Sequence, residues 1–153
     1  MIIKPQVTIM TILLVLSMFS GFVLANDAGS GGDAGGSFST STNLSPVDAT
    51  YYGNLSSNDT DDYYAINLSS NTGIAVDLTS PSGADFDLYL YSQSQSTIDY
   101  SLSISSIDSV TSNGTSVGGS TVYVRAKLWS GSGQYTMDIW IFNTSGGTGG
   151  GNQ

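Results

Sequence analysis

The chain has 153 residues, enough for a leader and one domain, and it contains no Cys, His or Glu. Without His or Cys, a Ser-His-Asp triad, a Cys-His pair and an ordinary structural zinc site are all excluded. Twelve Asp residues against three basic residues give a formal charge of -9, which disfavours binding to nucleic acid or anionic lipid.

Residues 1–25 have the pattern of a secretory signal peptide, predicted as an N-terminal helix. Lys4 supplies the positive start, residues 7–20 are mostly apolar, and Ala25 is a small residue at the expected cleavage point. The stretch 7–25 is also close to the length that spans a bilayer, so an uncleaved anchor remains the alternative. In either case the pattern predicts export, with membrane contact only through an uncleaved leader.

Two glycine-rich segments flank the rest of the chain. Residues 26–36 form a Gly/Asp-rich lead-in, and residues 144–153 form a Gly-rich tail. Segments of this composition behave as flexible linkers. We therefore place one folded domain at residues 37–143.

Within that domain, apolar residues recur at every second position, which is typical of half-buried strands. Turn residues such as Asn-Gly and Pro-Ser-Gly separate the strands, and no helical periodicity is present. The pattern predicts an all-β fold, an antiparallel jelly-roll-like β-sandwich of eight or nine strands. The clear strands are predicted at 63–68, 74–78, 86–91, 98–104, 122–128 and 135–142, with weaker ones at 37–43, 49–55 and 107–112.

Several motifs of this domain follow one another in a familiar order. They are Gly53-Asn54-Leu55, Asp59-Thr60-Asp61-Asp62-Tyr63-Tyr64, Ala84-Asp85-Phe86-Asp87-Leu88-Tyr89-Leu90-Tyr91, Val122-Tyr123-Val124-Arg125 and Gly131-Ser132-Gly133-Gln134-Tyr135-Thr136. Together they resemble the bacterial and archaeal pre-peptidase C-terminal domain over residues 27–142. The last two fit the closing hairpin of that family.

The resemblance implies a non-catalytic β-sandwich of the kind appended to secreted proteases, although no peptidase precedes it in this sequence. Some members, similar to the collagen-binding domains of clostridial collagenases, bind calcium and a matrix polymer. By this resemblance Asp59 and Asp62 are metal ligands, and the lead-in adds Asp27 or Asp33.

The residues themselves also point to calcium. Asp59 and Asp62 share one turn with Asp61, and the two lead-in Asp residues lie where glycine lets the backbone wrap an ion. Ca²⁺ takes six to eight oxygens, often from carboxylates. The alternative is that these Asp residues cap turns and keep the surface soluble. We take Asp27, Asp33, Asp59 and Asp62 as the candidate metal ligands.

Aromatic residues supply a second candidate site. If the aliphatic positions face the core, Tyr89, Tyr91, Tyr123 and Trp140 face outward, where they suit a sugar or an extended peptide. The alternative is that they fill the outer surface of the sheet or lie under the lead-in.

Six Asn residues each begin an N-x-Ser/Thr sequon, so we expect glycosylation if the source organism glycosylates exported proteins. They are Asn43, Asn54, Asn58, Asn67, Asn113 and Asn143.

The sequence does not predict an enzyme. Asp85 and Asp87 flank Phe86 and could resemble the carboxylate pair of a glycoside hydrolase, but they belong to a strand pattern with no His, Glu or basic residue nearby. We predict a secreted or cell-surface, calcium-stabilised module for adhesion to an extracellular polymer or protein. The alternative is a self-associating structural subunit of a filament or surface layer.

Overall fold

The computed structural model describes residues 26–112 and 117–144. The predicted signal helix, at residues 1–25, and most of the Gly-rich tail lie outside the described residues. The described part is an all-β fold with nine strands, which confirms the predicted β-sandwich. The strands are β1 Thr42–Leu44, β2 Ala49–Leu55, β3 Asp61–Asn67, β4 Thr72–Thr79, β5 Asp85–Tyr91, β6 Thr97–Ser101, β7 Ile107–Thr111, β8 Thr121–Ser130 and β9 Gly133–Asn143.

The strands form two sheets that pack face to face. The five-stranded sheet has the order β1-β3-β8-β5-β6, and the four-stranded sheet has the order β2-β9-β4-β7. Consecutive strands lie in different sheets at every step except β5 to β6, so the chain wraps around the core. All pairings are antiparallel except that of β1 with β3, which is parallel.

The expected closing hairpin is not formed, because β8 and β9 belong to different sheets. Gly131, with φ of +80°, turns the chain from one sheet to the other. A Cβ at this position would lie 2.6 Å from Cα of Ala84, so the turn also needs the absence of a side chain. The segment is therefore an arch over the end of the sandwich.

The core contains the apolar residues that the alternation placed on inward faces. Ile74, Val76 and Leu78 on β4 are fully buried, and β5, β8 and β9 contribute residues in the same alternating pattern. Burying large aliphatic side chains contributes roughly 1.5–3 kcal/mol each, so this interior is the main source of stability.

One predicted strand is oriented differently from the expectation. The alternation predicts that the apolar positions of 98–104 are buried; Ile98 does pack against the core, but β6 ends at Ser101, and Ile104 is 96% exposed. Tyr100 pairs with Tyr89 on the outer face, and a bulge at Ile98 of β6 shifts the register between Leu90 and Tyr91 of β5. Asp99 instead accepts a hydrogen bond from the Thr111 N–H of β7, so this edge strand is held by polar contacts.

The weak strand predicted at 37–43 is a 3-10 turn at Phe38–Thr40 followed by β1. Phe38 lies over the outer face of the five-stranded sheet. Among residues 26–112 and 117–144, no helix is long and apolar enough to cross a membrane.

Candidate functional site

The lead-in joins the sandwich through a tight loop closed by backbone hydrogen bonds. The Asp27 N–H donates to the carbonyl of Gly32 at 2.9 Å, and Gly31 has φ of +85°, a conformation that glycine adopts readily. The Ala34 N–H donates to Oδ2 of Asp27 at 3.0 Å. The loop thereby turns Asp27 inward, where the residue is only 1% exposed.

Four carboxylates from this loop and from the β2–β3 turn converge at one point. Asp27, Asp33, Asp59 and Asp62 each offer an oxygen, and these oxygens all lie within 4.8 Å of one another. Asp27 and Asp62 are buried, Asp59 is half-buried and Asp33 is exposed. The cluster therefore has a buried floor and an open mouth, and it contains the four residues selected from the sequence.

Asp62 is fixed by tyrosines from both sheets. The Tyr135 hydroxyl of β9 donates to Oδ2 of Asp62 at 2.7 Å, and the Tyr64 hydroxyl lies 2.5 Å from that of Tyr135. The other oxygen, Oδ1, is buried without a hydrogen-bond partner among the described residues. An orphaned buried carboxylate oxygen is costly, so a cation or a proton is needed to complete the site.

The surroundings of the cluster oppose its ionisation. Burial is the main cause that raises the pKa of Asp62 to about 8; the Tyr135 hydrogen bond opposes this shift, and the nearby Asp residues add to it. Burial, followed by contact with Asp33, raises the pKa of Asp59 to about 7. Burial also raises the pKa of Asp27. Near neutral pH, protons and a divalent cation therefore compete for the same oxygens.

Asp61, the neighbour of Asp62, takes no part in the cluster. Successive side chains of a strand point to opposite faces, so Asp61 points outward, where it forms an ion pair with Arg125. This is the one ion pair within the described residues. Within residues 26–112 and 117–144, none of the four clustered carboxylates has such a partner.

The donor set fits a hard divalent cation. Each of the four Asp residues offers one carboxylate oxygen where the cluster converges, and water or the second oxygen of a carboxylate would supply the rest of a calcium shell. Calcium takes six to eight oxygens in flexible geometry, whereas magnesium keeps several waters and zinc prefers nitrogen and sulfur. Calcium therefore suits this arrangement best.

Sequence reasoning missed the residues that support the cluster. Tyr64 and Tyr135 look like ordinary core residues in an alternating pattern, yet their hydroxyls orient Asp62. Gly53 pairs with Tyr135 across β2 and β9, and a Cβ at Gly53 would lie 2.2 Å from the Tyr135 hydroxyl oxygen. A glycine inside a strand was the available signal, because it often marks a close approach.

The predicted aromatic surface is divided between the two sheets. Tyr89, Tyr91 and Tyr123 lie on the outer face of the five-stranded sheet, whereas Trp140 lies on β9 of the four-stranded sheet. Four residues split in this way do not form one continuous surface.

Phe38 covers part of the tyrosine face. Its ring meets those of Tyr63, Tyr91 and Tyr123 edge to face at centroid distances of 4.8–5.2 Å. Tyr91 is only 9% exposed. Tyr89 is stacked on Tyr100, with ring centroids 6.3 Å apart.

The sequons fall mostly at exposed positions. Asn54 is half-buried on β2, and Asn113 lies outside the described residues. The other four, Asn43, Asn58, Asn67 and Asn143, are exposed.

No protein-family model matches the sequence, and no curated protein matches it significantly. Solved structures do match. The pre-peptidase C-terminal domain of a collagenase from Bacillus anthracis is 18% identical, with a TM-score of 0.54, over 64% of this chain and 92% of that chain. The periplasmic inhibitor of g-type lysozyme, PliG, from Aeromonas hydrophila is 9% identical, with a TM-score of 0.48, over 66% of this chain and 96% of that chain.

At such low identity, the likeness to the collagenase domain shows the fold alone. It supports the β-sandwich.

Proposed function

We propose that this chain is an exported, non-catalytic binding module whose lead-in is fastened to the sandwich by a calcium ion. The observation that carries the proposal is the buried Oδ1 of Asp62, which lacks a partner among the described residues and belongs to the four-carboxylate cluster. Asp27, Asp33 and Asp59 would complete the ligand set. A bound ion supplies the positive charge that this part of the molecule lacks.

Calcium binding would fasten the lead-in to the sandwich. Asp27 and Asp33 belong to the lead-in, whereas Asp59 and Asp62 belong to the turn and strand of the sandwich. An ion that holds these carboxylates together orders residues 26–36 against the domain. It also removes the repulsion between the carboxylates. Without a cation, the repulsion between the carboxylates is reduced when they bind protons or when the lead-in leaves the sandwich.

Hydrogen exchange of the lead-in tests this step directly. We expect millimolar calcium to slow amide exchange over residues 27–34, including the Ala34 N–H that donates to Asp27. Magnesium at the same concentration should have a much smaller effect. Identical exchange of the lead-in with calcium and with EDTA would contradict the proposal.

The absence of His, Cys and Glu supports a non-catalytic role. The similar collagenase structure is a pre-peptidase C-terminal domain, and by that similarity we extend a non-catalytic role to this chain. By that similarity, and from the leader-like residues 1–25, we propose a secreted or cell-surface location. Glycosylation at the exposed sequons is part of the same proposal.

For ligand binding, the exposed part of the tyrosine face is the best remaining candidate. Tyr89 and Tyr100 are stacked beside Arg125, whose guanidinium lies 5.3 Å from the centre of the Tyr89 ring. Tyr91 and Tyr123 lie under Phe38, so their contribution to binding requires displacement of that ring. Trp140, 43% exposed, would be a separate contact on the other sheet. An extracellular polymer or protein suits such a flat aromatic surface.

A structural subunit of a filament or surface layer is the second candidate. The observation that favours it is that β7 is an edge strand of the four-stranded sheet, with Ile107 50% exposed. Analytical ultracentrifugation of the secreted protein separates the candidates. A monomer at tens of micromolar favours the module, and long assemblies favour the subunit.

A further inference from the structure

A groove lies at one end of the outer face of the five-stranded sheet, and none of the four clustered carboxylates lines it. It is formed by the start of β5, the end of β8 and the segment that follows β6, and its volume is about 310 Å³. Its lining combines two carboxylates with three large apolar side chains. These residues are Asp85, Asp87, Leu102, Ile104 and Trp129.

The carboxylates of the groove are short of partners. Asp87 is only 6% exposed, and within residues 26–112 and 117–144 its carboxylate accepts no hydrogen bond and forms no ion pair. Oδ1 of Asp85 is buried and also lacks a hydrogen-bond partner in this part of the chain. Lys127 pairs with Asp87 in the β5–β8 register, but its ammonium lies beyond ion-pair distance.

Burial is the first cause that raises the pKa of Asp87; Lys127 lowers it, and Asp85 and Asp108 raise it further. A carboxylate held in this way gains more from a new cationic partner than an exposed one does, because water screens the interaction less. The groove thus favours a guest with a positive charge.

The apolar wall restricts the guest further. Leu102, Ile104 and Trp129 are 53%, 96% and 70% exposed, and they lie together around the carboxylates rather than singly on the surface. A bare metal ion would leave this wall in contact with water, and a neutral sugar would leave the carboxylates unpaired. A cation on an apolar stem satisfies both parts of the groove.

We infer that this groove binds a lysine or arginine side chain of an extended polypeptide, with the cationic group between Asp85 and Asp87 and the aliphatic stem against Trp129 and Leu102. Charge-assisted hydrogen bonds fix the head group, and the indole ring adds a cation–π or stacking contact. The formal charge of -9 attracts such basic partners at long range. The inference deepens the proposed binding function and does not depend on the calcium ion.

The test uses the full secreted domain, ¹⁵N-labelled and held in 10 mM calcium, with a synthetic peptide, acetyl-Gly-Leu-Lys-Leu-Gly-amide. We expect the peptide to shift the indole N–H resonance of Trp129 and the amide resonances of Asp85 and Asp87. The indole resonance of Trp140, on the other sheet, is the internal reference and should stay in place. The same peptide with norleucine for lysine should bind at least about tenfold more weakly, because it lacks the charge.

Two matched variants distinguish binding in the groove from general attraction by the negative charge of the protein. Asp87→Asn should weaken binding of the lysine peptide about tenfold. Asp77→Asn removes the same charge from β4 on the other sheet and should leave the affinity unchanged. Retention of the native fold by both is checked by their amide spectra. If Asp87→Asn does not fold, Trp129→Ser, at an exposed position, should give the same loss.

Equal binding of the lysine and norleucine peptides would overturn the inference, as would equal weakening by Asp87→Asn and Asp77→Asn. A Trp129 shift that follows protein concentration alone would identify a second copy of the chain as the occupant and would also overturn it. So would a Trp129 shift produced by calcium alone in Asp62→Ala. None of these results alters the calcium effect on the lead-in, so failure of the groove and failure of the proposed function are distinguishable.

Discussion

The hydroxyl of Tyr135 donates a hydrogen bond to Oδ2 of Asp62 at 2.7 Å, and so links the core of the four-stranded sheet to the carboxylate cluster. Tyr64 extends the link from the five-stranded sheet. One oxygen of Asp62 is thereby fixed, and the other, Oδ1, is buried without a hydrogen-bond partner among the described residues. The cluster is thus held by both sheets of the sandwich.

Removal of this hydroxyl should weaken both stability and calcium binding. Tyr135→Phe leaves Oδ2 of Asp62 unsatisfied, which we expect to cost about 1–3 kcal/mol of unfolding free energy. Calcium affinity should fall several-fold because Asp62 is no longer oriented. Chemical denaturation and calcium titration measure the two effects. Tyr52→Phe, at a 53% exposed residue, is the control; equal stability of the two variants would show that the link is unimportant.

The stability of the calcium-free protein should decrease as the pH rises. The pKa values of Asp59 and Asp62 are raised to about 7 and about 8, above the usual value near 4 in the unfolded chain. Between about pH 4 and pH 8 the folded state therefore binds more protons than the unfolded state, and the free energy of unfolding falls with pH.

Calcium should remove this dependence, because it holds both carboxylates in their ionised form and releases their protons. Melting curves at pH 5 and pH 8, with EDTA or with 10 mM calcium, measure the effect. The melting temperature in EDTA should be lower at pH 8, and the gain from calcium should be larger there. A calcium gain that is equal at both pH values contradicts the assigned pKa shifts. Asp62→Asn should show a smaller dependence in EDTA.

Gly53 should not tolerate a side chain. In Gly53→Ala the new Cβ would lie 2.2 Å from the Tyr135 hydroxyl oxygen, so Tyr135 must move away from Asp62. We expect a loss of about 1–3 kcal/mol in stability, as is common for overpacked sites, and weaker calcium binding. Gly32→Ala is the matched control, because a Cβ there meets no atom within 4 Å. Similar melting temperatures for the two variants would show that the strand accommodates the new side chain without loss of stability.

Phe38 should act as a cover for the tyrosine face. Phe38→Ala removes three edge-to-face contacts, and we expect a loss of about 2–3 kcal/mol in stability. Tyr91 and Tyr123 should then become more reactive toward tetranitromethane, which mass spectrometry of the nitrated tyrosines detects. Phe38→Leu should keep most of the cover. Unchanged nitration in Phe38→Ala would mean that other groups bury these rings.

The sequence predicted the sandwich because a period of two depends only on burial, as at Ile74, Val76 and Leu78. It did not predict that β6 would turn Tyr100 outward, because the bulge beside Tyr91 and the hydrogen bond to Asp99 depend on tertiary neighbours. Likewise, an arch between two sheets and a hairpin within one sheet need similar turn residues. The sequence around Gly131 therefore could not show which of the two the chain forms.

For the candidate site, the family resemblance selected Asp59 and Asp62, and the glycine-rich lead-in added Asp27 and Asp33. Residue type alone does not separate Asp62 from Asp61, whose roles differ because strand alternation directs Asp61 outward to Arg125. The hydrogen bond from Tyr135 could not be predicted either. A tyrosine at an inward position of a strand gives the same sequence pattern whether its hydroxyl binds a carboxylate or its ring only fills the core.

Calcium-dependent melting of the wild type and of Asp62→Ala tests the central claim most directly. A ligand specific to the folded state stabilises by about 2.7 kcal/mol at a hundredfold excess over Kd, or about 5–10 °C for a domain of this size. Sites in extracellular modules bind at roughly 0.1–1 mM, so 10 mM calcium is sufficient. We predict this increase for the wild type and for Asp77→Ala, and little or none for Asp62→Ala. An equal increase in the wild type and Asp62→Ala, or none in either, would contradict the calcium site.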